Sequence, residues 1–339
     1  MGSSTPVRLA AALAAVVFAF AAAPRAAAQA VMESMAPGSA LIFPVIDFGG
    51  PSRTIVTITN LNMSQVVCAG GFRRGDVEVY FQFRDATNCL IFDRIEALTP
   101  GDTFSFRADE FDPVGTGANW LYVEARDPVT NRPIDFDFLV GSANFGELRS
   151  NLKWWYGAYA FKSRASDNGA AFGTSACGHA FVDPAGDDFA DFDGVEYAGF
   201  PRSVLLDFFV GEGQPEELTN GTIVSSRLVL MSPATTPTNV TMVAWNNNES
   251  SFRRLFPFTC QLEANLAAID VRMTESQLRA GYDPTELGGL PYGWFALSGS
   301  NGILGVFVQR AFRPDETPIQ AFGRPLHFEG IRTDVRLKR

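Results

Sequence analysis

Apolar and polar residues alternate with a period of two through much of this chain. Over residues 77–84, Val77, Val79, Phe81 and Phe83 fall on one face, while Glu78, Tyr80, Gln82 and Arg84 fall on the other. That is the pattern of a half-buried β-strand. Residues 134–140 alternate in the same way, and residues 54–60 are rich in β-branched side chains, which suit a pleated surface. Turn-forming clusters at 49–51, 99–102 and 127–128 punctuate these runs. Short strands between such turns predict a sandwich or barrel. Helical periodicity is nearly absent; the best stretch is 274–280, with Thr274 as cap and Gly281 as stop.

The landmarks recur in the same order. Residues 40–48 resemble 203–211, 54–60 match 226–231, and 77–83 match 239–245. A cysteine follows each of the last pair, Cys89 and Cys260, and then come the Trp120 run at 119–124 and the Trp294 run at 293–297. Residues 134–140 pair with 303–308. A period of about 160 residues is a domain duplication and not a solenoid. The expectation is an all-β protein of two tandem, duplicated antiparallel β-sandwich modules, residues 31–148 and 203–339. A connector at 149–202 contains an acidic loop and, at 153–162, the expected last strand of module one. In strand pattern the modules resemble immunoglobulin-like sandwiches, a likeness that implies nothing about function.

Residues 1–30 read as a cleaved signal peptide. Arg8 is followed by an Ala/Leu/Val/Phe run over 9–24 and by the small-residue site Ala28-Gln29-Ala30. Cleavage is expected after Ala30, with Ala28 as second choice. Sixteen alanine-rich residues are short for a membrane span, and no other apolar run of eighteen follows. The expected location is therefore outside the cytoplasm: extracellular, cell-surface or periplasmic, with no stable membrane insertion after cleavage. Four cysteines, Cys68, Cys89, Cys177 and Cys260, agree with an oxidising compartment. If each module holds its own bridge, Cys68 joins Cys89 and Cys177 joins Cys260.

Loss of Arg8 and Arg25 with the leader takes the formal net charge from −10 to −12. Only three lysines occur in the chain. This balance argues against nucleic acid and anionic lipid, whose phosphates need clustered cations. The basic end, Arg332, Arg336, Lys338 and Arg339, reads as a solvated tail.

Candidate chemistry is sparse. Ser150 and Lys153 form an S-x-x-K, and Ser166-Asp167-Asn168 an S-D-N, two of three signatures of penicillin-recognising serine enzymes. There the lysine must lie one helical turn beyond the serine, whereas here the motif runs into Trp154, Trp155 and Tyr156, a strand pattern, and no K-T-G follows. With only His179 and His327 and no G-x-S-x-G elbow, a serine triad finds little support. No Cys/His set completes a zinc site. Asp187, Asp188, Asp191, Asp193 and Glu196 crowd enough oxygens into ten residues to suggest calcium, although Phe189 stands where an EF-hand loop begins with Asp. No other cofactor is expected. Trp154, Trp155 and Tyr156 are the candidate glycan platform, but adjacent strand residues face opposite ways, and Trp120 and Trp294 read as core. The resulting expectation is an exported, non-catalytic structural or interaction component with a protein or glycan partner. A carbohydrate-binding protein is the alternative, and a secreted hydrolase the second alternative.

Overall fold

The computed structural model describes residues 36–46, 52–85, 91–111, 118–147, 152–166, 173–183, 186–213, 221–279, 291–328 and 332–339. The predicted leader, its cleavage sites, Cys89 and Ser150 lie outside the described residues.

The protein is all-β, as the alternation predicts. The first half contains β1 (Ala40–Phe43), β2 (Ser52–Asn60), β3 (Val77–Asp85), β4 (Ile91–Leu98), β5 (Thr103–Arg107), β6 (Ala118–Arg126), β7 (Leu139–Glu147), β8 (Lys153–Gly157) and β9 (Tyr159–Phe161). Two short strands follow, β10 (Phe189–Phe192) and β11 (Phe200–Pro201). The second half contains β12 (Ser203–Val210), β13 (Ile223–Met231), β14 (Thr238–Asn246), β15 (Ser251–Phe258), β16 (Gln261–Asn265), β17 (Tyr292–Gly299), β18 (Leu304–Phe312), β19 (Pro318–Pro325) and β20 (His327–Phe328). It ends with β21 (Arg332–Thr333) and β22 (Val335–Lys338). The predicted helix at 274–280 is a single turn, Glu275–Leu278, with Thr274 at its N-cap position.

All pairings between the named strands are antiparallel, and the sheet orders repeat strand for strand. The first half forms β4-β3-β6-β1-β9 and β5-β2-β7-β8; the second forms β15-β14-β17-β12-β20 and β16-β13-β18-β19. Each strand of the first half thus has its counterpart eleven strands later. The two trailing pairs of short strands join each other, β10 with β22 and β11 with β21. The order differs from that of immunoglobulin domains, where the first two strands are neighbours; here β1 lies between β6 and β9, and β2 lies in the other sheet.

Each half has a hydrophobic cluster shared by its two sheets. In the first, Val79, Phe81 and Phe83 of β3 and Leu121 and Val123 of β6 meet Val56 and Ile58 of β2 and Phe106 of β5. Phe81 and Phe83 lie edge-on to Phe106, with centroids 5.5 and 5.8 Å away. In the second, Val204 and Leu206 of β12 and Met242 of β14 meet Leu228, Leu230 and Phe307 of β13 and β18. The opposite faces of β13 and β18 are covered as well, because Val229, Val306 and Val308 belong to the first cluster. Residues 34–339 accordingly form one compact unit. Further contacts cross between the halves: the Tyr159 hydroxyl lies 2.7 Å from the carbonyls of Gly305 and Leu326, and the Gln261 amide donates to Pro44 O at 2.6 Å. Trp154 lies directly over Gly323, where a Cβ would collide with its ring.

Three local expectations change. The run at 134–140 enters strand only at Leu139, because its start pairs with the connector instead: Asp135 N donates to Ala180 O, and Val182 N donates to Pro133 O. The expected strand at 153–162 divides at Ala158, giving β8 to one sheet and β9 to the other. The polar face of β3 is not solvated: Tyr80, Gln82 and Arg84 are buried. The same outer face of that sheet carries Trp120 and Tyr122, which lie beneath residues 189–200 and the β22 segment. Trp120 is thus buried on the outer face of its sheet, under Arg84, 5.1 Å from the ring centroid. Its counterpart Trp294 is only half-buried, 6.5 Å from Trp245 in a near-parallel stack.

The cysteine pairing also requires correction. Cys68 is joined to Cys177, not to Cys89, so Cys177 is not joined to Cys260. The connector turn at 173–181 packs on the loop between β2 and β3, where His179 Nε2 lies 2.8 Å from Arg74 O. The connector therefore belongs with the first half, and Cys177 meets Cys68. Cys260 is disulfide-bonded too.

Candidate functional site

The acidic loop is built around arginines. Asp187 and Asp191 both bind Arg336, at 2.5 and 2.8 Å. Asp193 Oδ1 accepts the backbone N–H of Val195 and Glu196, so its carboxylate closes a turn. Asp188 adopts a positive φ of 59°, and its carbonyl accepts Arg339 N. Glu196 accepts Asp191 N at 3.1 Å and lies 3.4 Å from Arg339. Arg336 thus engages two of the five acids in the expected calcium loop. Among the described residues no group of three His, Cys, Asp or Glu could hold a metal.

The basic end is not a solvated tail. β22 pairs with β10 and carries Arg339 into the first half, where its guanidinium meets Glu124 at 2.9 Å, Asp183 at 2.8 Å and Glu196. The hydroxyls of Tyr122 and Tyr197 each donate to Glu124 at 2.8 Å, and Arg126 adds a contact at 3.2 Å. Burial alone would push Glu124 up, but Arg339 and Arg126 outweigh it and hold the carboxyl below its ordinary range. Glu196, farther from the guanidinium, is governed by burial and pushed up to about 7. Burial lowers Arg84, whose guanidinium reaches Gln82 and the Lys338 carbonyl, to about 10. This cluster fastens the end of the chain; its acids and cations satisfy each other.

The serine-enzyme motif does not assemble among the described residues. Lys153 opens strand β8 with an exposed side chain, not a helix. The Ser166 hydroxyl donates to Asp135, and Asp167 and Asn168 lie outside the described residues. His327 sits 3.8 Å from Asp207.

The aromatic triplet separates as strand geometry demands. Trp154 is buried and stacked on Phe145, 3.8 Å between centroids, and Tyr156 is buried with its hydroxyl against the backbone of Val45. Trp155 alone is open, 53% exposed. It lines a groove of about 390 Å³ between β8 and β19 with Lys153, Phe322 and Arg324.

A second cavity, of about 420 Å³, lies where the connector turn meets the loops of the first half. Asp135, Asp137, Asn62, Arg74, Phe138 and His179 line it. One oxygen of Asp137 accepts from Ser39 Oγ at 2.7 Å and from Ser163 N at 3.0 Å. Burial pushes the Asp137 carboxyl up despite those bonds, with Asp135 adding to the shift. Phe136 packs edge-on against both Phe138 and His179 and so braces the wall. Sequence reasoning missed this site. Asp135 and Asp137 look like the polar side of an alternating strand, and nothing local signals that Asn62 and Arg74 stand opposite.

No family model matches the chain, and no curated protein matches it. Among solved structures, the chain is similar to Thermotoga maritima 1070 at 8% identity and a TM-score of 0.26, over 40% of this chain and 98% of that one. It is also similar to the BSP domain of a biofilm associated protein at 9% identity and a TM-score of 0.17, over 86% of this chain and 59% of that one. Likenesses this low carry no argument about fold or function.

Proposed function

We propose that this chain is an exported, non-catalytic protein of two duplicated double-sheet modules, working as a structural or interaction component at the cell surface, in an extracellular matrix or in the periplasm. The observation that carries this reading is the engagement of its reactive side chains in the fold. Ser166 is held by Asp135, His179 by the Arg74 carbonyl, and the buried acids by Arg339. A groove and a polar cavity remain open for a partner. Among the described residues no helix is long and apolar enough to cross a membrane.

Fluorophosphonate and β-lactam probes should leave the purified protein unlabelled. Covalent labelling of Ser150 or Ser166 would overturn the reading in favour of a secreted hydrolase. N-terminal sequencing of exported protein should begin at Val31, or at Gln29, and cross-linking on intact cells should capture a partner.

A carbohydrate-binding role is the second reading. Two features favour it: an open tryptophan beside Phe322 in the β8–β19 groove, and the polar cavity with an exposed aromatic at its rim.

A further inference from the structure

We infer that the cavity between the connector turn and the first-half loops is a binding site for a neutral carbohydrate, an inference that rests on the carbohydrate-binding reading. At about 420 Å³ it falls within the range of small-ligand sites. Its polar groups are of mixed kind. The second oxygen of Asp137, the Oδ1 of Asp135, the Asn62 side-chain nitrogen and the Arg74 guanidinium have no hydrogen-bond partner among the described residues. Acceptors and donors that converge without partners suit a ligand whose every hydroxyl both donates and accepts. Phe138, 41% exposed, offers a flat apolar face at the same opening, against which the C–H face of a pyranose can lie.

Charge decides among sugars. Two carboxylates stand against one guanidinium in the cavity, and the chain as a whole is acidic. A uronate or sialate would bring a third carboxylate into a site already short of cations, whereas neutral hexoses and N-acetylhexosamines meet no such repulsion. The wall is also prepared in advance. Ser39 and Ser163 fix Asp137, Ser166 fixes Asp135, and the Cys68–Cys177 bridge ties the two chain segments that form opposite sides. Such prior ordering lowers the entropic cost of binding.

The test is a glycan array of neutral hexose and N-acetylhexosamine oligosaccharides, with uronate- and sialate-containing glycans as anionic controls. Hits are titrated in solution against the full exported chain. At least one neutral class should bind reversibly and without hydrolysis. Asp135→Asn and Phe138→Ala should each weaken it by about tenfold or more, close to the 1.4 kcal/mol equivalent. Leu255→Ala, at an exposed position of β15 outside the cavity, should leave binding unchanged, and thermal melts should show that every variant folds. Two results would overturn the inference: no neutral glycan bound, or binding lost in Trp155→Ala and kept in the cavity variants. If no glycan binds while cross-linking still captures a protein partner, this inference fails and the interaction reading survives.

Discussion

Arg339 and Glu124, 215 positions apart, form an ion pair at 2.9 Å with side chains only 5% and 0% exposed. Arg339 thereby neutralises an acid on the outer face of the first half's five-stranded sheet. Removing one partner of a buried pair leaves a desolvated charge behind and costs about 3–5 kcal/mol. Arg339→Met should destabilise the protein by that order in urea denaturation. Combining it with Glu124→Gln should recover part of the loss, because the stranded charge is then gone.

Glu196 sets a different dependence on pH. Its folded pKa is raised to about 7 from the ordinary 4.5, so the folded state prefers the protonated acid. That preference is fully present below about pH 4.5 and is lost as pH rises through about 7. Glu196→Gln, which keeps the neutral shape, should raise the melting temperature at pH 8 and flatten the slope between pH 4.5 and 7. A steeper slope in the variant would contradict this assignment.

The bridges can be read directly. Non-reducing peptide mapping should recover Cys68 joined to Cys177. Cys260 is also disulfide-bonded, and the same map identifies its partner. Opening Cys68–Cys177, with its separation of 109 residues, should cost about 4.7 kcal/mol in the chain-entropy model, before any change in the native state.

Tyr159 reports on the junction between the halves. Its buried hydroxyl serves the carbonyls of Gly305 and Leu326, and Tyr159→Phe leaves those acceptors without it. A loss of about 1–3 kcal/mol is expected. The unfolding should remain one cooperative transition in calorimetry, because β13 and β18 are buried from both sides.

The local pattern was enough for much of the architecture. Period-two alternation at 77–84, β-branched residues at 54–60 and their recurrence after about 160 positions specify strands and a doubled order, because side-chain direction along a strand depends only on sequence parity. The same parity sets Trp155 on the face opposite to Trp154 and Tyr156. What parity cannot decide is whether a polar face meets water. Gln82, Arg84 and Glu124 look like solvent-facing residues, yet a segment more than 200 positions away covers them with Arg339 and β22. Nothing local in the acids at 187–196 signals that β22 brings Arg336 beside two of them. Cys177 chose Cys68 for a like reason: the connector folds back on the first half. Electrostatic partners and disulfides act between groups close in space, and only the tertiary fold determines which distant segments those are.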